Sequence, residues 1–99
     1  MYYLKLTGTI PEGKQREFEQ TYRFMITQIP ETCTGFNISR DVMNNASYHI
    51  MSYWKNAEAL RSFAKTSIYQ MLIGAFNTLG KLRELTEGQM TESINGILS

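Results

Sequence analysis

The chain has 99 residues, of which 42% are hydrophobic, and this composition is typical of one globular domain with a modest core. Ten basic and nine acidic residues, scattered along the chain, give a formal charge of +1, which excludes the basic stripe that nucleic acids require. Cys33 is the only cysteine, which excludes an internal disulfide and a thiolate metal cluster. The sequence lacks a signal peptide and an apolar run near the ~20 residues of a membrane span. We therefore expect one cytoplasmic domain, residues 1–99, with no metal, no nucleic acid and no membrane contact.

The first half of the chain predicts a strand, a helix and a hairpin. Residues 2–10 fit a half-buried strand, because apolar and polar side chains alternate from Leu4 onward, and Pro11 ends it. Residues 14–29 fit a helix with one apolar stripe, formed by Phe18, Tyr22, Met25, Ile26 and Ile29. Two further strands, residues 35–42 and 48–54, are separated by Asn44-Asn45, whose residue type tolerates the positive φ of a tight turn.

The register of this hairpin decides which side chains share a face. A two-residue turn pairs Arg40 with His49, Ile38 with Met51 and Phe36 with Tyr53. This register predicts that Arg40 and His49 lie together on the more apolar face, the natural one to meet the helices. Trp54 then lies on the other face of the sheet, unless a bulge or a longer turn shifts the register.

Two helices and a last strand are predicted after the hairpin. Asn56 is a good N-cap for a short helix, and Ser67 for a longer one that ends at Gly80. Leu82 and Leu85 allow a ragged extension of that helix, and residues 88–94 alternate as a final strand. The resulting order, βαββαβ, predicts an α+β, ferredoxin-like fold with a four-stranded antiparallel sheet.

Three short segments carry a resemblance to a known family. They are Gly35-Phe36 at the start of the second strand, Tyr53-Trp54 at the end of the third, and the helix start at residues 56–63. A Trp, a short polar link and Glu-Ala-Leu is the hallmark of the antibiotic biosynthesis monooxygenase family, which the chain resembles. The resemblance implies a ferredoxin-like domain that pairs as a dimeric α/β barrel. Family members range from cofactor-independent oxygenases of polycyclic phenols and quinols, through haem-degrading enzymes, to proteins with no known activity.

The haem-degrading branch is the least favoured of these. Its members use an Asn on the first strand, the strand-end Trp and a His on the following helix. Here the first strand offers only Thr7 and Thr9, and Ala64 occupies the position of the helix His. We therefore expect no haem and no other cofactor.

The junction at Trp54, where a strand turns directly into a helix, predicts a small-molecule site. Trp54 ends its strand beside a polar link, so we expect its ring to be only partly buried. The candidate substrate-binding residues are Tyr22, Tyr53, Trp54, Phe63, Tyr69, Met71 and Phe76, and the candidate catalytic residues are His49 and Arg40. At helical spacing, Phe63, Met71 and Phe76 fit a plain hydrophobic core at least as well.

Two functions remain open on the sequence alone. The first is a cofactor-independent monooxygenase acting on a small aromatic or quinol substrate, which needs an apolar slot, a base and donors for an oxyanion. The second is a non-catalytic small-ligand-binding or stress-related accessory protein on the same scaffold. In either case we expect a homodimer, because helices cover only one face of such a sheet and the second face carries apolar side chains.

Overall fold

A computed structural model of the protein describes residues 1–91. The main elements are β1 (Tyr2–Thr9), α1 (Gln15–Met25), β2 (Cys33–Arg40), β3 (Ser47–Trp54), α2 (Ala57–Phe63), α3 (Ser67–Leu79) and β4 (Lys81–Gln89). Single 3₁₀ turns, Glu12–Lys14 and Ile26–Gln28, flank α1. The strands form one antiparallel sheet in the order β2-β3-β1-β4. The predicted ferredoxin-like α+β fold is confirmed.

The core lies between the helices and one face of the sheet, and it has two parts. The larger cluster joins the sheet to α1 and α3 and contains Leu6, Ile10, Phe18, Met25, Tyr48, Ile50, Leu72 and Phe76. The smaller cluster lies at the α2 end of the sheet and contains Leu4, Trp54, Leu60 and Phe63. Within residues 1–91, no helix is long and apolar enough to cross a bilayer.

The β2–β3 hairpin differs from its predicted register by one residue. Residues 41–46 form a longer connection, in which the Asp41 carboxylate accepts hydrogen bonds from the backbone N–H groups of Met43 and Asn44. Arg40 therefore pairs with Tyr48, and His49 pairs with Ser39. Because side chains alternate along a strand, this shift moves His49 to the face opposite Arg40 and brings Trp54 to the helix side.

The last strand begins earlier than predicted. Leu82 and Leu85 belong to β4, which pairs with β1 along its whole length, and not to an extension of α3. Of the predicted strand 88–94, residues 88 and 89 lie in β4, residues 90 and 91 follow it, and 92–94 lie outside the described residues. Most β4 side chains are exposed because this is an edge strand, so its hydrophobic alternation is weak.

The helix starts follow the capping rules closely. The Asn56 side chain accepts a 2.8 Å hydrogen bond from the backbone N–H of Ala59, which confirms the predicted N-cap of α2. The cap of α3 is Thr66, one residue before the predicted Ser67, and its hydroxyl accepts from the N–H of Tyr69. The regular α1 ends at Met25, where the 3₁₀ turn replaces the last predicted turn.

We call the sheet surface turned away from the helices the open face. It carries Tyr3, Lys5 and Thr7 from β1, and His49, Met51 and Tyr53 from β3. Tyr3 and Tyr53 are directly paired, and their rings extend in opposite directions over glycines of the outer strands. A Cβ at Gly88 would come within 2.5 Å of the Tyr3 ring, and one at Gly35 within 3.2 Å of the Tyr53 ring. The two rings therefore lie close to the backbone of the neighbouring strands and rise little above the sheet.

Candidate functional site

A cleft of about 420 Å³ lies between α1 and the β2–β3 hairpin. It is lined by Tyr22, Ile26 and Ile38 with apolar surface, and by Glu19, Arg23, Ser39, Arg40 and Tyr48 with polar or charged groups. Its volume is within the range of small-molecule sites, and apolar walls with a few convergent polar groups are typical of them.

Helical periodicity explains why α1 and the 3₁₀ turn that follows it supply half of this lining. Glu19, Tyr22, Arg23 and Ile26 follow one another at spacings of three, one and three, so they form one stripe on the helix. The stripe lies beside the buried Phe18 and Met25, which attach α1 to the core. One face of the helix therefore holds the fold while the adjacent stripe borders the cleft.

Tyr48 and Glu19 form a short hydrogen bond in the cleft. The buried Tyr48 hydroxyl donates a short hydrogen bond of 2.5 Å to Glu19 Oε2. The pKa of Tyr48 is raised to about 12, mainly by burial and to a smaller extent by the Glu19 carboxylate. The Arg40 guanidinium offsets part of that rise. Tyr48 is therefore a neutral donor near pH 7 and fixes the Glu19 carboxylate at the cleft surface.

Arg23 completes the charge pattern around Glu19. Its Nη2 lies 3.9 Å from Glu19 Oε1, so the carboxylate is placed between a phenol on one oxygen and a guanidinium on the other. Both side chains of this pair remain partly exposed, which leaves the carboxylate accessible to a molecule in the cleft.

Arg40 is held by an amide. Its Nη1 donates a 3.0 Å hydrogen bond to Gln15 Oε1. The Gln15 Nε2 group in turn donates to the carbonyl oxygens of Ile10, at 3.1 Å, and Asn45, at 2.9 Å. Gln15 is buried and each polar atom of its side chain is used, so the amide is a rigid support for the guanidinium.

Three of the aromatic residues predicted for the site lie in the core. Trp54 is fully buried, stacks on Phe63 with the ring centroids 4.6 Å apart, and donates from Nε1 to Ser52 Oγ at 2.9 Å. The expectation of a partly buried Trp54 was wrong, because the observed register turns its ring under α2. Phe63 and Phe76 are also buried, at 2% and 0% exposure.

The remaining predicted residues are divided between the cleft and other surfaces. Tyr22 and Arg40 line the cleft. His49 and Tyr53 lie on the open face, where the His49 Nδ1 is 3.2 Å from the Thr7 hydroxyl oxygen. Predicted as neighbours, Arg40 and His49 are therefore on opposite faces of the sheet.

Met71 and Tyr69, both on α3, do not line the cleft. Met71 is exposed, and Tyr69 packs edge-on against Phe63 at a centroid distance of 5.8 Å. Burial, with a smaller contribution from Glu87, raises the pKa of Tyr69.

Sequence reasoning missed Gln15, Glu19, Arg23 and Tyr48. For Glu19 and Arg23 a signal was present in the sequence of α1, because the two residues are four positions apart and Tyr22 lies between them. A charged pair interleaved with aromatic and apolar residues predicts a border between core and solvent, where a cleft can form. Tyr48 was hidden by the register error, which assigned it to the other face.

The fold agrees with several solved structures. A protein from Deinococcus radiodurans that carries the name antibiotic biosynthesis monooxygenase superposes with a TM-score of 0.82 at 19% identity, over 96% of this chain and 97% of that one. SnoaB from Streptomyces nogalater, a cofactor-independent oxygenase, gives a TM-score of 0.80 at 14% identity, over 95% and 96% of the two chains. A conserved protein from Methanosarcina mazei gives 0.74 at 13% identity, over 88% and 87%.

A comparison with curated proteins gave no significant match. The family model for antibiotic biosynthesis monooxygenases matches residues 1–73, which span β1 to the first half of α3 and include all of the residues that line the cleft. The chain therefore belongs to the antibiotic biosynthesis monooxygenase family.

Proposed function

We propose that the protein is a cofactor-independent monooxygenase that acts on a small hydroxylated aromatic or quinol substrate in the cleft beside α1. The observation that carries the proposal is the position of Glu19 in a cleft that also has apolar surface, supplied by Tyr22, Ile26 and Ile38. Tyr22 and Ile38 offer surfaces for a planar ring, and the accessible carboxylate of Glu19 is a base within the same space. The similarity to SnoaB, a cofactor-independent oxygenase, supports this choice of chemistry.

Ionisation of the substrate is the step that these side chains assist. Glu19 accepts the proton of the bound substrate, and Tyr48, as a neutral donor, holds the carboxylate in position for it. Once Glu19 is protonated, the charge of Arg23 is no longer balanced and stabilises the new substrate anion. The negative charge thus moves from protein to substrate while the total charge of the site stays constant.

The ionised substrate supplies the electrons for oxygen. Where the reacting carbon carries two hydrogens, as in the keto form of a polycyclic phenol, one atom of O₂ becomes a new carbonyl oxygen. The other atom leaves as water with those two hydrogens. The four electrons that O₂ accepts all come from the substrate carbon, so the reaction needs no external reductant. In this proposal Arg40 contributes positive charge to the site, and His49 has no role in the cleft.

The test uses anthrone, a planar ketone with such a carbon, in buffer with EDTA and under ¹⁸O₂. We expect protein-dependent oxygen uptake and anthraquinone with one ¹⁸O atom above the spontaneous background. The variant Glu19→Gln removes the base and is expected to lower the rate about 10²-fold or more. Arg83→Gln, an exposed charge change on β4, is the matched control. A rate unaffected by Glu19→Gln would contradict the role of this carboxylate.

The second candidate, a ligand-binding protein without catalysis, is favoured by the exposure of the polar groups. Arg23 and Glu19 retain 69% and 36% side-chain exposure, which is high for groups that must exclude water during chemistry. Saturable binding of anthrone with no oxygen uptake above background would select this candidate.

We also propose that the protein is a homodimer that pairs through the open face. Met51 and the low-lying rings of Tyr3 and Tyr53 give this face an apolar centre, and no described helix covers it. A second copy of the same sheet buries that centre symmetrically.

A further inference from the structure

The charged side chains that line the cleft do not balance. Arg23 and Arg40 supply two positive charges and Glu19 one negative charge, so the lining carries one surplus positive charge. Arg23 forms the ion pair with Glu19. The surplus charge therefore belongs to Arg40.

The protein holds Arg40 in place without neutralising it. Its hydrogen-bond partner, the side chain of Gln15, is a neutral amide, and the salt bridges among residues 1–91 do not include Arg40. Two backbone carbonyls fix the Gln15 amide group, so that its oxygen is directed at the guanidinium. A guanidinium has five N–H donors, and the bond to Gln15 uses one of them. Donors and charge thus remain for a ligand.

We infer that the cleft selects aromatic carboxylates, with Arg40 as the carboxylate-binding residue. This inference rests on the proposed function in that the same cleft and ring-binding walls are used. A planar guanidinium matches a carboxylate through two parallel hydrogen bonds, and Tyr22 and Ile38 lie in the same cleft for the attached ring. One surplus positive charge balances one carboxylate, whereas a doubly charged phosphate is disfavoured by Glu19. The substrate class is therefore a hydroxylated aromatic acid.

The test compares two probes that differ by a single carboxylate, 1-naphthol and 1-hydroxy-2-naphthoate. Near pH 7 and at low salt, we expect the full-length protein to bind the acid at least tenfold more tightly than the neutral naphthol, by calorimetric or fluorescence titration. The preference is expected to weaken with added salt, because part of it is Coulombic and the cleft is open.

Two variants assign the preference to Arg40. Arg40→Gln is expected to reduce the ratio of the two affinities to about one, and a urea melt of the variant checks that loss of the Arg40–Gln15 hydrogen bond leaves the protein folded. Arg40→Lys keeps the positive charge without the planar fork of donors, and is expected to retain only part of the preference. Arg83→Gln, outside the cleft, is expected to retain the full preference.

Equal affinities in the unmodified protein, a preference that survives Arg40→Gln, or binding of neither probe would overturn the inference. These titrations measure binding without turnover, so their result is independent of the result of the oxygen assay. A preference that depends on Arg40 without oxygen uptake would support the ligand class and reject the monooxygenase. Oxygen incorporation into anthrone, with equal affinities for the two naphthalene probes, would support the monooxygenase and reject the ligand class.

Discussion

The indole of Trp54 stacks on the ring of Phe63 with an interplanar angle of 29°, and this contact closes the α2 end of the core. Truncation of Trp54 to alanine would leave a large cavity, and we expect it to lower the free energy of unfolding by about 3–5 kcal/mol. Urea denaturation measures this loss. Phe24→Ala, at a surface position with 53% exposure, is the control and is expected to change the stability by less than about 0.5 kcal/mol.

Ser52 and Trp54 share a buried hydrogen bond that can be tested on its own. Ser52→Ala leaves the indole N–H without an acceptor, and we expect a cost of about 1–3 kcal/mol. In a Trp54→Phe background no N–H remains, so the same Ser52→Ala change should cost clearly less. A double-mutant cycle from urea melts gives the coupling, and additive effects would argue against the hydrogen bond.

Alanine substitutions at Gly8 and Gly74 are expected to have opposite effects on the stability of the protein. A Cβ at Gly8 would strike the ring of Phe76 and come within 2.7 Å of the Lys81 carbonyl oxygen, so we expect Gly8→Ala to destabilise by roughly 1–3 kcal/mol. Gly74 lies inside α3 with open space around its Cβ position. Gly74→Ala is expected to stabilise by about 1 kcal/mol, because alanine is the better helix former. Thermal melts of the two variants should therefore shift in opposite directions.

The raised pKa of Tyr48 predicts that the protein loses stability at high pH. Its pKa rises from the ordinary value of about 10 to about 12 on folding, so between these values the folded state binds more protons than the unfolded state. The corresponding stabilisation is complete below about pH 10 and is lost as the pH rises through about 12. Urea melts between pH 9 and about 12 should show this decline, and Tyr48→Phe should reduce its slope. An identical slope in Tyr48→Phe would assign the decline to other groups, including Tyr22 and Tyr69, whose pKa values are also raised.

The open face predicts the oligomeric state. We expect a dimer at micromolar concentration in sedimentation-velocity experiments, and we expect Met51→Glu to shift it toward the monomer, because two carboxylates would be buried across the symmetric contact. Val42→Glu, on the exposed hairpin loop, is the matched control and should leave the dimer intact. A monomeric parent protein, or a dimer that tolerates Met51→Glu, would contradict pairing through this face.

The order of elements could be predicted from the sequence because each element carries its own local signal. Pro30 and Gly80 mark the ends of helical patterns, Asn56 caps α2, and alternation identifies β1 and β3. The hairpin register could not be predicted in the same way. Asn44-Asn45 suggests a tight turn, whereas the observed six-residue connection is organised by Asp41, whose carboxylate caps the loop backbone.

The candidate site was harder to predict because its position depends on that register. A shift of one residue exchanges the two faces of β3, which separates His49 from Arg40 and brings Tyr48 to Glu19. The contact between Tyr48 and Glu19 joins residues 29 positions apart, and no local pattern indicates it. Tyr22 and Arg40, both predicted as site residues, line the cleft, whereas the predicted cavity was centred on Trp54.

Side-chain alternation along β3 means that neighbouring positions belong to different environments. Residues 48, 50, 52 and 54 are buried against the helices, while 47, 49, 51 and 53 are half-buried on the open face. A substitution scan along this strand should therefore show a period of two. Even-numbered positions should report on folding and on the cleft, and odd-numbered positions on what the outer surface of the sheet contacts. One eight-residue strand thus gives two surfaces that can vary independently, so that a change on the open face need not disturb the cleft on the other side.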